Sequence, residues 1–315
     1  MKILPTHLLL PALGICLMIA CAPDSSEDPS AQSEPGLIEI VTTTMDFAAP
    51  DTIPSGWVTL RLINNSAMVH FAVLERMPAG KGLADQRAEV APVFQNIMDQ
   101  INGRELSAPE TGMELPPWFG EIRFVGGPGL ISPGKVAETT VQVEPGIYLL
   151  ECYIKTNGIF HSYNPDPEVQ PMVHEFTVIG QPSGKAAPTP TLELDISAGQ
   201  GIQIPGEIPA GSHTIAVHFR DQQLYSNFVG HDVHLLHITD STDVGALIGW
   251  MEWSQPAGLQ TPAPAVFLGG SNEMPAGPPG YFNVELEPGE YAFIAEVPAA
   301  DTLGMLRRFT VREPQ

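Results

Sequence analysis

The chain repeats itself. Ile53-Pro54-Ser55-Gly56 recurs as Ile208-Pro209-Ala210-Gly211, Val69-His70 as Val233-His234, and Phe124-Val125-Gly126-Gly127 as Phe267-Leu268-Gly269-Gly270. Val143-Glu144-Pro145-Gly146-Ile147-Tyr148 then returns as Leu286-Glu287-Pro288-Gly289-Glu290-Tyr291, and Met172 with Phe176-Thr177-Val178 as Met305 with Phe309-Thr310-Val311. Matches in one order imply a tandem duplication, so the chain must fold as two copies of one domain-sized unit. The copies are expected at 37–179 and 192–315. Between them, 180–191 holds Pro182, Gly184, Pro188 and Pro190 and reads as a short, semi-rigid linker.

Within each copy, apolar residues alternate over short runs bounded by turn residues, as in Trp57 to Ile63 and Ala137 to Val143. That period of two predicts half-buried strands. The 30 Gly and 32 Pro leave room for few long helices. Two segments do have helical spacing, Leu83 to Ile101, limited or kinked by Pro92, and Asp243 to Trp253, whose Trp250 and Trp253 should pack on the strands. The expected fold is all-β: two tandem Greek-key β-sandwiches, each with a short helical insertion. With 14 Lys plus Arg against 36 Asp plus Glu, a formal charge of -22, no phosphate-neutralising surface is expected and nucleic acid is excluded as a partner. Most of the acidic residues are expected on a solvated surface.

Residues 1–20 read as an export signal, with Lys2 followed by the apolar run Leu8 to Ala20. The run ends Leu17-Met18-Ile19-Ala20-Cys21, which resembles the bacterial lipobox, whose Cys is acylated after cleavage; Met18 stands where Leu is preferred. The resemblance implies a lipid on Cys21, a tether over 21–36 rich in Pro, Ser, Asp and Glu, and a place in the cell envelope on the periplasmic or extracytoplasmic side. No later stretch is long and apolar enough to span a bilayer, so the lipid would be the sole anchor. Of Cys16, Cys21 and Cys152, only Cys152 would remain as a thiol, in an oxidising compartment where a free thiol needs a role.

Both copies resemble the cupredoxin family. Asn64-Asn65-Ser66-Ala67-Met68-Val69-His70 is similar to the family's His after a strand-ending Asn. Pro145 to Cys152 is similar to the penultimate strand running into its Cys, and His161, Met172 and Phe176-Thr177-Val178 follow in family order. The resemblance implies one copper ion in the first copy, held by His70, Cys152 and His161 with Met172 as axial ligand. Two imidazoles, a thiolate and a weak thioether form the donor set that lets copper cycle between its charge states. The sequence departs from the family at Pro171, where Gly is usual, and in the long His161-x10-Met172 spacing. Gln170 or a carbonyl is an alternative axial donor.

The second copy has Ala295 where Cys152 stands and no His between Ala295 and Met305, so its copper site is read as lost. His231, His234 and His237 there are expected to be loop or ion-paired histidines, because residues three apart on a strand face opposite ways. His174 is expected to be exposed and not a ligand. Copper nitrite reductases and multicopper oxidases wire a second copper through His residues flanking the Cys; Glu151 and Tyr153 occupy those positions, and the expectation is that the chain is not an enzyme. What remains is electron transfer or copper handling with a redox protein or a copper donor or acceptor as partner. The alternative is a metal-free binding or scaffold module with the same fold.

Overall fold

The computed structural model describes residues 34–166 and 168–314. The expected export signal, Cys21 with its expected lipid, and most of the expected tether lie outside the described residues. The first copy contributes β1 (Leu37–Thr42), β2 (Thr52–Asn64), β3 (Val73–Arg76), β4 (Arg123–Phe124), β5 (Val136–Val143), β6 (Gly146–Glu151), β7 (Lys155–Thr156), β8 (Ile159–Phe160) and β9 (Val173–Pro182). The second contributes β10 (Leu192–Ser197), β11 (Gly201–Gln203), β12 (Glu207–Pro209), β13 (Gly211–Phe219), β14 (Val233–Ile238), β15 (Val266–Ser271), β16 (Gly280–Leu286), β17 (Gly289–Ile294) and β18 (Leu306–Arg312). The strands follow the predicted alternation: in β2, Val58, Leu60 and Leu62 are fully buried, and Ala137 and Val141 face them from β5.

The duplication extends to strand pairing. β1 runs parallel to β2 as β10 does to β13, and β2 pairs antiparallel with β5 as β13 does with β16. On the other face β9, β6 and β3 pair in series, as β18, β17 and β14 do. The start of β2 joins β9 in parallel, and β12 joins β18 likewise. Each copy is thus two packed layers. The Tyr of each Pro-Gly-x-Tyr phrase closes its own corner: Tyr148 Oη donates to Glu144 O at 2.9 Å and Tyr291 Oη to Glu287 O at 2.9 Å. The paired glycines have a reason as well. Gly127 and Gly270 sit at φ +106° and +136°, and a Cβ there would lie 2.1 Å from Ala72 O and 2.0 Å from Val233 O, so only Gly fits.

β5 and β16 also pair with each other, Tyr281 opposite Thr140 and Asn283 opposite Glu138, giving one eleven-stranded sheet across both copies. Asn272 reinforces the seam, donating from Nδ2 to Ala72 O at 3.1 Å and Pro128 O at 2.8 Å.

The first helical insertion is α1 (Leu83–Asp85), a π-helical turn (Gln86–Val90) and α2 (Ala91–Ile101), with Pro92 in the first turn of α2, where a missing N–H costs nothing. A short α3 (Ala108–Thr111) and a 3-10 turn (Pro117–Glu121) follow; neither has a sequence pattern long enough to foresee. The second insertion is α4 (Val244–Met251), capped by Asp243 Oδ1 accepting from Ala246 N at 3.0 Å. Trp250 and Trp253 are buried. No helix among the described residues is long and apolar enough to cross a membrane.

Candidate metal centre

His70, Cys152 and His161 come together from three segments, each held by its own local chemistry. After β2, Asn64 folds the chain back on itself: its Oδ1 accepts from Ser66 N and Oγ at 3.0 and 2.7 Å, and its Nδ2 donates to Met68 O at 2.8 Å and Ile131 O at 3.0 Å. This side-chain turn delivers His70, whose backbone then bridges to Ile131. Cys152 follows directly on β6, its N–H donating to Met172 O at 3.2 Å. His161 is carried by the β7–β8 hairpin, whose two-residue turn is Asn157-Gly158 at φ +53° and +79°. Asn-Gly is the pair that such a turn demands, and the hairpin accounts for the long Cys152-x8-His161 spacing. His161 N donates to Ile154 O at 2.8 Å, and Met172 N to His161 O at 2.8 Å.

One donor atom from each of the three residues lies within 4.8 Å of the others, and all three side chains are buried. His70 Nδ1 is 3.5 Å from Cys152 Sγ, and the two imidazole centroids are 5.2 Å apart. Thr156 Oγ1, 2.9 Å from His161 Nε2 and 3.1 Å from Thr261 Oγ1 of the second copy, fixes that ring. His161 Nδ1 and His70 Nε2 are buried without a hydrogen-bond partner.

Electrostatics suit a metal better than a proton. Burial holds His161 down to about 3, helped by His70. Burial also holds His70 down to about 4, against the Asp46 charge and the Thr44 backbone, which raise it without completing a hydrogen bond to Nε2. Both rings are therefore neutral with lone pairs to offer. Burial pushes the Cys152 thiol up to about 12, against the Phe71 and Ile154 backbone amides, which favour the thiolate. Neutral imidazoles, a sheltered sulfur and an orphaned ring nitrogen fit a soft-to-borderline ion such as copper. Met172 is fully buried and its backbone is tied to both Cys152 and His161. His174 stands apart, with Nε2 3.3 Å from Pro50 O.

In the second copy, Ala295 N donates to Met305 O at 3.0 Å, the counterpart of the Cys152–Met172 bond. His234, the counterpart of His70, instead joins a second buried group with Asp232 and Glu296. Leu130 N donates to His234 Nδ1 at 3.1 Å, so the proton sits on Nε2, 2.7 Å from Asp232 Oδ2; Asp232 Oδ1 accepts from Glu296 N at 2.7 Å. That histidine has both nitrogens committed and clamps the two copies together. His231 faces Tyr225 and Asp221, and His237 lies against Tyr291. The sequence offered no signal for Thr156 or for the carboxyls buried near Cys152.

No family model and no curated protein matches the sequence. Among solved structures, the dithionite-reduced auracyanin of Roseiflexus castenholzii is similar at 20% identity over 46% of this chain and 97% of its own (TM-score 0.26), and the "blue" copper protein auracyanin A of Chloroflexus aurantiacus at 21% over 46% and 100% (0.27). The fold is cupredoxin-like. A nitrite reductase of Thermus scotoductus is similar at 11% identity over 88% of this chain and 61% of its own (0.23), and a multicopper oxidase at 11% over 88% of both (0.22). The expectation that this cupredoxin-like chain is not an enzyme is thereby corrected. The structures similar to it over 88% of its length include ones named as a nitrite reductase and a multicopper oxidase.

Proposed function

We propose that the protein binds one copper ion, which His70, Cys152 and His161 would hold with Met172 as a further weak donor, and uses it in electron transfer or copper handling. We further propose that Cys21 carries a lipid holding the protein at the extracytoplasmic face of a membrane, with a redox protein or copper donor or acceptor as partner. The observation that carries the copper reading is a buried thiol and two neutral imidazoles with donor atoms within 4.8 Å, each ring with one nitrogen, His161 Nδ1 and His70 Nε2, lacking a hydrogen-bond partner. Copper bound there would supply reversible one-electron chemistry. The chain's own residues do the rest. Thr156 orients His161, Asn64 fixes the approach of His70, and the amides facing Cys152 Sγ favour the thiolate. Burial keeps water away from the sulfur.

The test is the visible and electron-paramagnetic-resonance spectrum of the protein with Cu(II). An intense thiolate-to-copper absorption with small hyperfine splitting, lost in Cys152→Ser, is the expected result. Copper binding indifferent to Cys152→Ser, or a colourless protein, would sink the reading and favour a metal-free binding module.

A further inference from the structure

A cavity of ≈ 80 Å³ lies between the two copies, several times the ~10–15 Å³ that one water needs. Seven aromatic rings stand in its walls, which come from both copies. Phe94 of α2 is the hub, with centroids 5.6 Å from Phe119, 5.9 Å from Phe228 and 5.8 Å from Trp253. Four carboxyl groups also line it: Glu75 and Asp232, both buried, and Glu151 and Glu273, half-buried. Among the described residues lining it there is no lysine, arginine or histidine.

Two amide side chains on the same walls have hydrogen bonds left unmade. Asn227 is 3% exposed and neither its Oδ1 nor its Nδ2 has a partner. Gln86, 1% exposed, donates Nε2 to Glu151 Oε2 at 2.7 Å while its Oε1 has none. Buried polar atoms are costly to leave unpaired, and carboxyls gathered in an apolar space repel one another. Burial and the neighbouring Asp232 push Glu273 up to about 7, and burial, Glu151 and Glu273 push Glu75 well above the usual carboxylate range. Phe228 stands at the rim, 42% exposed, with its backbone held at φ +62°.

We propose that this cavity binds a small organic ammonium ion with an aromatic or apolar body, its charge met by the carboxyls and its body by the rings around Phe94. An ammonium gains both carboxylate hydrogen bonds and the faces of aromatic rings, and an amide such as Asn227 can serve a further polar group on the ligand. A bare divalent cation would need oxygen on every side, and here most of the wall is hydrocarbon. The inference does not depend on copper, so it is tested on the metal-free chain.

Calorimetric titration of the metal-free full chain would compare 2-phenylethylammonium, neutral 2-phenylethanol and Mn²⁺. One equivalent of the ammonium should bind at least ten-fold more tightly than the alcohol. Glu273→Gln and Glu75→Gln should each weaken the ammonium at least ten-fold and leave the alcohol unchanged, with circular dichroism confirming the fold; Phe228→Ala, at the exposed rim, is the variant least able to disturb folding and should weaken both ligands. Equal affinity for ammonium and alcohol, ammonium binding untouched by both Glu variants, no ammonium binding at all, or one equivalent of Mn²⁺ displacing the ammonium would each overturn the proposal.

Discussion

Asn64 shows how much of a candidate metal centre rests on a residue that would donate nothing to the metal. Its side chain satisfies two backbone carbonyls and a serine in the loop that presents His70. Asn64→Ala leaves Ser66 N buried and unpaired, while Ile131 O keeps His70 N and Met68 O keeps Ser66 Oγ, a loss of about 1–3 kcal/mol for the one orphaned group, read by urea denaturation, with copper affinity falling in parallel. Glu273 is the opposite case, a residue whose charge the fold resists. Between pH 4.5 and about 7 the unfolded chain ionises this carboxyl while the folded chain keeps it neutral, so the unfolded state binds fewer protons and stability falls as pH rises. Glu273→Gln should flatten that fall and raise the melting temperature at pH 7.5 while leaving it unchanged at pH 4, where both forms are neutral. These carboxyls were not legible in the sequence. Glu75 and Glu296 sit 6% and 1% exposed, although a chain so acidic reads as having a solvated surface. Composition counts charges but does not say which of them a second copy will cover.

At the scale of elements, the β7–β8 hairpin is the device that completes the site. Gly158 adopts φ +79°, and a Cβ on it would come within 2.8 Å of Asn102 Nδ2. Gly158→Ala should therefore cost about 1–2 kcal/mol from backbone strain alone and weaken copper binding by displacing His161, measurable as a lower melting temperature and a weaker copper titration. Much at this scale was readable in advance. Period-two runs predicted β2 and β5, and helical spacing found α2 and α4. The hairpin itself went unread, even though Asn157-Gly158 is a strong turn signal, because Lys155–Thr156 and Ile159–Phe160 are too short to show alternation. The grouping of His70, Cys152 and His161 was expected from the resemblance of their order and neighbours to the cupredoxin family, and the three donors do come together. The register that seats His161 against Thr156, and Thr156 against Thr261, depends on the second copy and has no trace in local spacing.

Across the whole molecule the two copies are joined by more than their linker. The β5–β16 pairing, the Asn272 bonds and the His234–Leu130 contact couple their unfolding. A single calorimetric transition is expected, with calorimetric and van't Hoff enthalpies in agreement. Asn272→Ala, which strands Ala72 O and leaves Pro128 O with Ala72 N as its remaining donor, should lower stability by about 1–3 kcal/mol without splitting that transition; two resolved peaks in the parent chain would show the seam to be weak. Side-chain alternation says which face of a strand is buried but not which strand lies at its edge, so this seam could not be read from sequence.

The seam also carries a hazard for synthesis. β5 is made early, and its partner β16 lies some 140 residues later in the chain, at Gly280–Leu286. Until that segment arrives, β5 keeps a row of free backbone donors and acceptors along one side, ready to accept a strand from any neighbouring chain. A product that stops short of Gly280 keeps the proposed metal ligands yet exposes this open edge, so truncation should convert the protein into one that adds strands and aggregates.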